Sequence, residues 1–506
     1  MTPPVLSRVL SASVVGIEAS PIHIEVDVSS GLPGFQIVGL ADAGVKEGRT
    51  RIRGSLENTG IKMPPRKIVV NLAPADLRKD GAAYDVPIAV GILCGAGLLP
   101  ADSLDRSLFV GELALDGSVR PVKGVLPMAA FARARSVERM FVPRENAQEA
   151  AVVGGACDIV PVAHLREVLE ALQGQALPAV SPADRPQFAP RVVADLADIR
   201  GQEVARRALE IAAAGHHNLL FVGPPGSGKT MLARRLPGIL PTLSFEEALE
   251  ATMVYSVAGM LGGRALVTER PFRAPHHTVS VAGLVGGGPM VRPGEISLAH
   301  TGVLFLDELL EFARPALEAL RQPLEERSIG VVRARKTVLF PADFMLVAAL
   351  NPCPCGHLGN RLRTCTCSSI AISRYRAKLS GPLLDRIDMH VEVPAVPYRD
   401  LVLGGLGEGS ATVRQRVEAA RDVQRRRGAR PNARLTGAEL GAVVVLDPDG
   451  HRLLERAVER LALSARAIDR VRRLARTIAD LDGSEGVRAP HVAEALQYRV
   501  LDKPVD

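Results

Sequence analysis

The residues Gly223-Pro224-Pro225-Gly226-Ser227-Gly228-Lys229-Thr230 follow an apolar run, LLFV at 219–222, and lead into a helix-forming stretch. This is G-x-x-x-x-G-K-[ST] in the strand–loop–helix setting that gives the motif its meaning. Its glycines let consecutive backbone N–H groups turn inward on a polyphosphate. The Lys229 ammonium can reach the β and γ phosphates, and the Thr230 hydroxyl can hold Mg2+. A second apolar run, in GVLFLDEL at 302–309, ends in two carboxylates. Asp307 is suited to bind the metal through water, and Glu308 to orient or deprotonate an attacking water. A phosphate loop joined to such a pair is the chemistry of triphosphate hydrolysis, not of binding alone.

Of the six cysteines, four lie in NPCPCGHLGNRLRTCTC at 351–367, as Cys353-x-Cys355, nine intervening residues, then Cys365-x-Cys367. Four thiolates are enough to close a tetrahedral zinc site, although C-x-C pairs are tighter than the usual spacing. Pro354 and Gly356 favour a tight turn, and HLGNRLRT is too polar to form a core, so a metal would keep this segment folded. Structural Zn2+ is the expectation, with His357 as a substitute ligand. Reduced unliganded thiols and a redox switch are the other readings.

A scaffold must hold these groups. At 506 residues, with 47% hydrophobic and 23% charged content, the composition is that of about three globular domains. The expected fold class is α/β. Residues 1–175 read as a compact α/β unit, with strand-like IHIEVDV, FQIVGL and KIVVNL between glycine and proline turns. Residues 176–191 carry Pro178, Pro182, Pro186 and Pro190, which forbid a stable helix and predict an extended linker. Residues 192–395 alternate apolar strands, a glycine loop and helices, as in a parallel sheet flanked by helices. Residues 396–506 read as helices, with Ile468, Val471, Ala475 and Ile478 at helical spacing. The longest apolar run, VPIAVGILCGAGLLPA at 86–101, is too short and too rich in glycine to span a bilayer. It reads as a buried strand-to-helix passage. No basic–apolar leader opens the chain and its thiols suit a reducing compartment, so a cytoplasmic location and no membrane partner are expected. The absence of tryptophan excludes base stacking on indole, and a net charge of +7 permits an anionic partner without demanding one.

In combination, GPPGSGKT, LFLDE, LNPCPCG and LLDRID resemble an AAA+ ATPase. RPFRAPHHTVS at 270–280 and RPGEISLAHTGVLFLDELLEF at 292–312 are similar to the magnesium-chelatase-like branch, and the N-terminal unit narrows the resemblance to the ComM/YifB family over nearly the whole chain. That resemblance implies a Lon-protease-like N-terminal domain, an AAA+ P-loop core and a C-terminal helical lid, with ATP and Mg2+ as cofactors. It implies Asn351 as the first sensor, facing the γ-phosphate. Arg386 in SGPLLDRID matches the arginine finger offered to a neighbouring copy's nucleotide, and Arg466 in LSARAIDR the second sensor on the lid. By residue type alone, each arginine is as much at home in a surface salt bridge. A finger supplied in trans implies a ring, with a homohexamer expected. The implied activity is a motor on single-stranded or branched DNA, a helicase promoting branch migration as transforming DNA is integrated, with recombination proteins as further partners.

SIGVVRARKTVLFPADF at 328–344 predicts a β-hairpin whose tip carries Arg333, Arg335 and Lys336. In related ring ATPases such a hairpin enters the central pore, where basic side chains would meet a phosphate backbone. A solvated turn is the plainer reading. His276 and His277 make a poor metal site without carboxylates nearby, so packing or nucleic-acid contact suits them better. Arg414, Arg416, Arg421, Arg425, Arg426, Arg427 and Arg430 fit a solvated helix face about as well as a DNA-binding one. The N-terminal stretches resemble the proteolytic domain of Lon, yet Ala83 stands where that fold has its serine and Leu126 where it has its lysine. Without hydroxyl and amine there is no activated nucleophile. Lys79, Arg51 and Arg53 are then left as groups that could grip nucleic acid. Three alternatives stand beside the motor: a chelatase-type ATPase remodelling a protein partner, a protease, and a nucleotide-gated scaffold. The full N-terminal unit with its basic hairpin, the missing dyad and Glu308 weigh against them in turn.

Overall fold

Along residues 18–29, buried and partly exposed side chains alternate, the period of a strand that covers a core on one face. The computed structural model describes residues 6–77, 79, 81–180, 194–288, 291–333, 336–359, 363–403, 405, 407–428, 430–499 and 501, with the backbone alone at Ala101, Arg333, Lys336 and Leu401. Glu18–Ser29 pairs antiparallel with Ser7–Val15. The seven-stranded sheet they centre runs in the order Gly34–Val38, Lys67–Ala73, Glu18–Ser29, Ser7–Val15, Ser107–Phe109, Arg139–Pro143, Asp158–Val162. The three expected strand runs all lie in this sheet.

The apolar run at 86–101 differs from expectation. Asp85–Gly95 is a helix with every residue buried, and residues 86–101 themselves contain no strand. A helix packed under a sheet on one side and against Ala43–Asn58 on another has no polar face to display. Gly91 is where it approaches the sheet, since a Cβ there would lie 2.7 Å from Val26 Cγ2.

Of the proline-rich stretch, residues 181–191 lie outside the described ones, and Val180 still bridges to Ile159 of the first sheet. The second sheet is all parallel, in the order Phe272–Arg273, Val303–Leu306, Met345–Leu350, Leu219–Val222, Met389–Glu392. Its three inner strands are buried at every position, as strands covered on both faces must be. Helices follow from Ser410 onward. Ser410–Gly428 and Ala465–Leu481 pack on Glu203–Gly215, and Asp480 locks them together by accepting from Arg427 (2.7 Å), Asn432 (2.7 Å) and Arg476 (3.1 Å).

Those contacts correct the reading of the arginine stripe. Arg416 is bound to Glu210 at 2.5 Å and to Glu408 at 2.6 Å, and Arg414 donates to the Gly238 carbonyl at 3.3 Å. Arg421 is buried, which pulls its pKa down to about 10. Arg425 and Arg430 pair at the surface with Asp422 and Glu439. Arg414, Arg416 and Arg421 are thus drawn into contacts within the chain, whereas Arg425, Arg426, Arg427 and Arg430 remain exposed to solvent.

The N-terminal unit docks on helix Phe245–Ala258. Gly124 N–H donates to the Ser256 carbonyl at 3.1 Å, and the Ser256 hydroxyl donates to Glu149, whose pKa burial raises. Among the described residues no helix is long and apolar enough to cross a membrane.

Candidate active site

Strand Leu219–Val222 delivers the phosphate loop to the carboxyl end of the parallel sheet, where ligands bind in such folds. Gly226 and Gly228 have φ of +77° and +92°, and nothing lies within 4 Å of the Cβ that either would carry. The concave side of the loop is thus open to a polyphosphate. Gly223 shows the opposite constraint, because a Cβ there would lie 2.1 Å from the Val393 carbonyl oxygen. Lys229 begins the following helix and donates to the carbonyls of Gly223 (2.6 Å) and Pro224 (2.9 Å) and to Asn351 Oδ1 (3.2 Å). Burial lowers its pKa, against the pull of Asp307 and Glu308. A charge that phosphates could answer is therefore held by carbonyl and amide oxygens. The buried Ser227 hydroxyl has no hydrogen-bond partner among the described residues. These features fit a bound nucleotide.

Thr230 Oγ1 donates to Asp307 Oδ2 at 2.7 Å, so the two expected metal-binding groups share one spot. Glu308 adopts φ +51°, ψ +49° and donates its backbone N–H to Asp307 Oδ1 at 3.0 Å. For a non-glycine residue this conformation costs on the order of 1–3 kcal/mol, a strain typical of functional positions. Its side chain meets His277 Nδ1 at 3.5 Å. Glu308 supplies the carboxylate that sequence reasoning did not find near the histidines, because it lies on a distant strand. Gln202 was also missed: it donates to the Ser227 carbonyl at 3.2 Å and to Pro394 at 2.6 Å, bracing the loop. No local motif marks it.

The four cysteines converge. Their sulfurs all lie within 4.8 Å of one another, with Cys353–Cys355 at 3.4 Å and Cys365 at 3.6 Å from both. A tetrahedral zinc with Zn–S of about 2.3 Å needs sulfurs roughly 3.8 Å apart, so the donor set fits. His357 is not part of this group, and its Nδ1 is buried without a hydrogen-bond partner among the described residues.

Arg386 lies elsewhere. It precedes Met389–Glu392, which runs parallel to Leu219–Val222 with Leu219 opposite Met389 and Val222 opposite Glu392. The phosphate loop follows Val222, so the loop and Arg386 occupy opposite ends of one sheet. Arg386 pairs with Glu325 and donates to the Pro382 carbonyl at 2.5 Å. It lines a cleft of about 330 Å³ together with Arg434, Arg466, Arg470 and Arg473. Arg466 thus shares a wall with Arg386 and not with its own chain's phosphate loop. Arg470 and Arg473 follow Arg466 on the same face of helix Ala465–Leu481, four and then three residues on, a register that could have found them. Arg470 Nε lies 3.4 Å from Asp388. Burial works against the Asp388 carboxylate, yet His217, Arg470 and the Asn218 N–H hold its pKa down at about 2.

Ser328–Arg333 and Lys336–Pro341 form the expected hairpin, with Arg333 opposite Lys336. Arg335 lies outside the described residues. Ile329, Val331, Val338 and Phe340 face the core, whereas Val332 is 78% and Leu339 61% exposed. In the N-terminal unit, helix Val125–Ala134 buries Leu126, and no hydroxyl–amine dyad stands at Ala83 and Leu126. Lys79 has no accessible surface and Arg51 is tied to Asp85 at 2.6 Å. The expected basic grip is corrected accordingly, with Arg53 left exposed.

Comparison with known proteins places the chain in a family. The family profile of magnesium chelatase subunit ChlI matches residues 195–401, a second ChlI profile residues 24–146, and the ChlI C-terminal profile residues 407–499. The chain is 46% identical over 502 residues to competence protein ComM of Haemophilus influenzae, and 45% identical over 501 residues to the uncharacterized protein YifB of Salmonella typhimurium, covering 98% of both chains each time. It is also 25% identical over 170 residues to Lon protease 2 of Bacillus subtilis, 32% of this chain and 30% of that one. A phosphate loop ending one strand, paired carboxylates ending the next but one, and near-complete alignment with these relatives lead to one statement: the chain belongs to the ComM/YifB family of magnesium-chelatase-like AAA+ ATPases.

Proposed function

We propose that this ATPase is a homohexameric ring motor acting on single-stranded or branched DNA, a helicase that promotes branch migration. The reading rests on one linkage. Arg386 is held by Glu325, which lies three residues ahead of the hairpin whose tip carries Arg333, Arg335 and Lys336. A guanidinium that leaves Glu325 to meet a neighbour's nucleotide releases the root of a basic hairpin, and turnover becomes movement. An arginine supplied in trans is worth roughly 10³–10⁵ in rate, because it meets charge developing on the phosphoryl group.

In this scheme the glycine loop wraps the triphosphate, Lys229 leaves its carbonyl partners for the β and γ phosphates, and Asn351 and Glu308 align water for attack. Mg2+, when bound at Thr230 and Asp307, neutralises charge on the phosphate oxygens. Arg466 completes the neighbour's site from the lid. Cys353, Cys355, Cys365 and Cys367 hold structural Zn2+. The relative named a competence protein supports a role in integrating incoming single-stranded DNA during transformation. The chelatase-type reading, an ATPase remodelling a protein partner, draws on the ChlI profile matches.

The test is DNA affinity against salt for the wild type and for Arg335→Ala with Lys336→Ala, alongside unwinding of a forked substrate with ATP or a non-hydrolysable analogue. Loss of two phosphate contacts should weaken binding and reduce the salt slope by roughly two. Identical affinity in the double variant removes the hairpin from the mechanism. Turnover indifferent to any DNA but raised by a protein partner favours the chelatase reading.

A further inference from the structure

We propose that zinc loading at Cys353, Cys355, Cys365 and Cys367 sets the nucleotide affinity of the phosphate loop, because the segment these thiolates close is a wall of that loop. The inference rests on reading the four sulfurs as a zinc site. Its geometric basis lies in residues 350–356, which touch the phosphate loop three times over. Gly223, where the loop begins, donates its N–H to the Leu350 carbonyl at 3.2 Å. Asn351 Oδ1 accepts from Lys229 at 3.2 Å. Gly356, at φ +78°, abuts Pro225 so closely that a Cβ there would lie 2.6 Å from Pro225 Cδ. One short stretch of chain therefore bears on the start, the middle and the lysine of the loop.

Little besides the sulfurs fixes that stretch. Residues 351–359 and 363–367 contain no helix or strand, and a single turn bond, Gly356 N–H to the Cys353 carbonyl at 2.9 Å, organises the bend. Cys353 is fully buried beneath it. Asn351 is also held through its backbone by Tyr375, and beyond it two backbone donors turn to sulfur: Leu358 N–H donates to Cys353 Sγ at 3.3 Å and Cys367 N–H to Cys365 Sγ at 3.4 Å. Backbone donors aimed at thiolates are the outer support that metal-binding cysteines use. Four thiolates this close repel one another unless a cation lies between them. With zinc bound, they fasten residues 353–356 to 365–367 and Gly356 presses Pro225 into place. Without it the segment gains conformational freedom and the loop loses its wall, at the cost of pre-organised nucleotide binding. A displacement near 1 Å is enough to cost on the order of 10–100-fold at such a site.

The experiment uses the full chain. Zinc per chain is measured by atomic emission, and affinity for a fluorescent non-hydrolysable ATP analogue by anisotropy. The wild type should carry about one zinc. Stripping it with a chelator should weaken analogue binding about ten-fold, and adding Zn2+ back should restore it. Gly356→Val should lose affinity to a similar degree, since it drives a side chain into Pro225 and strains the φ +78° bend, and its zinc content is counted on the same sample so that loss of the wall is told apart from loss of the metal. Cys365→Ser with Cys367→Ser should lose both, and if that variant does not fold, the chelator series and Gly356→Val decide. Zinc that comes and goes with affinity unchanged, or a Gly356→Val chain that binds the analogue normally, overturns the coupling while leaving the zinc site standing. A wild type purified with no zinc, and taking up none, overturns the zinc reading and the coupling with it.

Discussion

The two ends of the parallel sheet are built on opposite principles. At the carboxyl end, the charged groups are matched within the chain, Lys229 with Asn351 and two carbonyls and Asp307 with Thr230, while among the described residues the Ser227 hydroxyl is left over. The glycine loop there opens on empty space. At the amino end, Arg386, Arg434, Arg466, Arg470 and Arg473 crowd one cleft; Glu325, Asp343 and Asp388 pair with Arg386, Arg434 and Arg470, yet among the described residues Arg386 Nε, Arg434 Nε and Arg470 Nη1 are buried with no hydrogen-bond partner. Buried guanidinium nitrogens left unmatched are costly unless something else answers them. The strand between the two ends is about 13 Å long at roughly 3.3 Å per residue, too far for one chain's arginines to serve its own loop. In the ring proposed above, this difference gives each chain two half-sites, a receptor for triphosphate and a donor of positive charge, to be joined between copies.

Breaking the receptor end should have the largest effect. Lys229→Ala should abolish turnover, and Glu308→Gln should lower it by roughly 10²–10⁴ while leaving ATP bound, as phosphate release and analogue binding will report. The donor end is next: Arg386→Ala should cost roughly 10³ or more in turnover with the ATP dissociation constant unchanged. A collapse of ATP affinity in that variant would mean the two ends are not separate. A smaller effect lies in the scaffold of the donor cleft. Asp388 is an ordinary carboxylate of pKa 3.8 when unfolded and is held at about 2 in the fold, so its ionised form stabilises the protein. That contribution, about 2 kcal/mol, is complete above pH 4 and is lost as pH falls through 2. Asp388→Asn should accordingly lower denaturant stability by about that amount at neutral pH, the gap narrowing as the solution is acidified. The smallest effect belongs to His277. Its partly exposed contact with Glu308 is worth at most about 1 kcal/mol, so His277→Ala should change turnover only several-fold without touching ATP affinity.

The receptor half was legible in the sequence because its chemistry is local. Gly223–Thr230 and the LDE turn each carry their meaning in a few consecutive residues, and the flanking apolar runs are buried strands wherever they were expected. The donor half was legible only residue by residue. Arg386 and Arg466 stood out by resemblance, and Arg470 and Arg473 follow Arg466 at helical spacing on one helix, but Arg434 and Arg386 join them from separate elements, a juxtaposition that spacing along the chain does not encode. The same limit applies to the arginine stripe, whose partners Glu210 and Asp480 belong to other helices. Asp85–Gly95 was misread as part strand for a different reason: a helix buried on all sides loses the polar–apolar period that would reveal it. Gly356 against Pro225 is a contact between two loops, each unremarkable by itself.

The most direct test of sharing between copies is to mix two inactive variants. Lys229→Ala lacks a working receptor and keeps its arginines; Arg386→Ala lacks the finger and keeps its phosphate loop. If each site is completed by a neighbour, chains mixed at equal amounts and allowed to assemble should hydrolyse ATP well above the sum of the two variants alone. A mixture that never exceeds that sum, although mixed assemblies have formed, would contradict the division of each site between two copies.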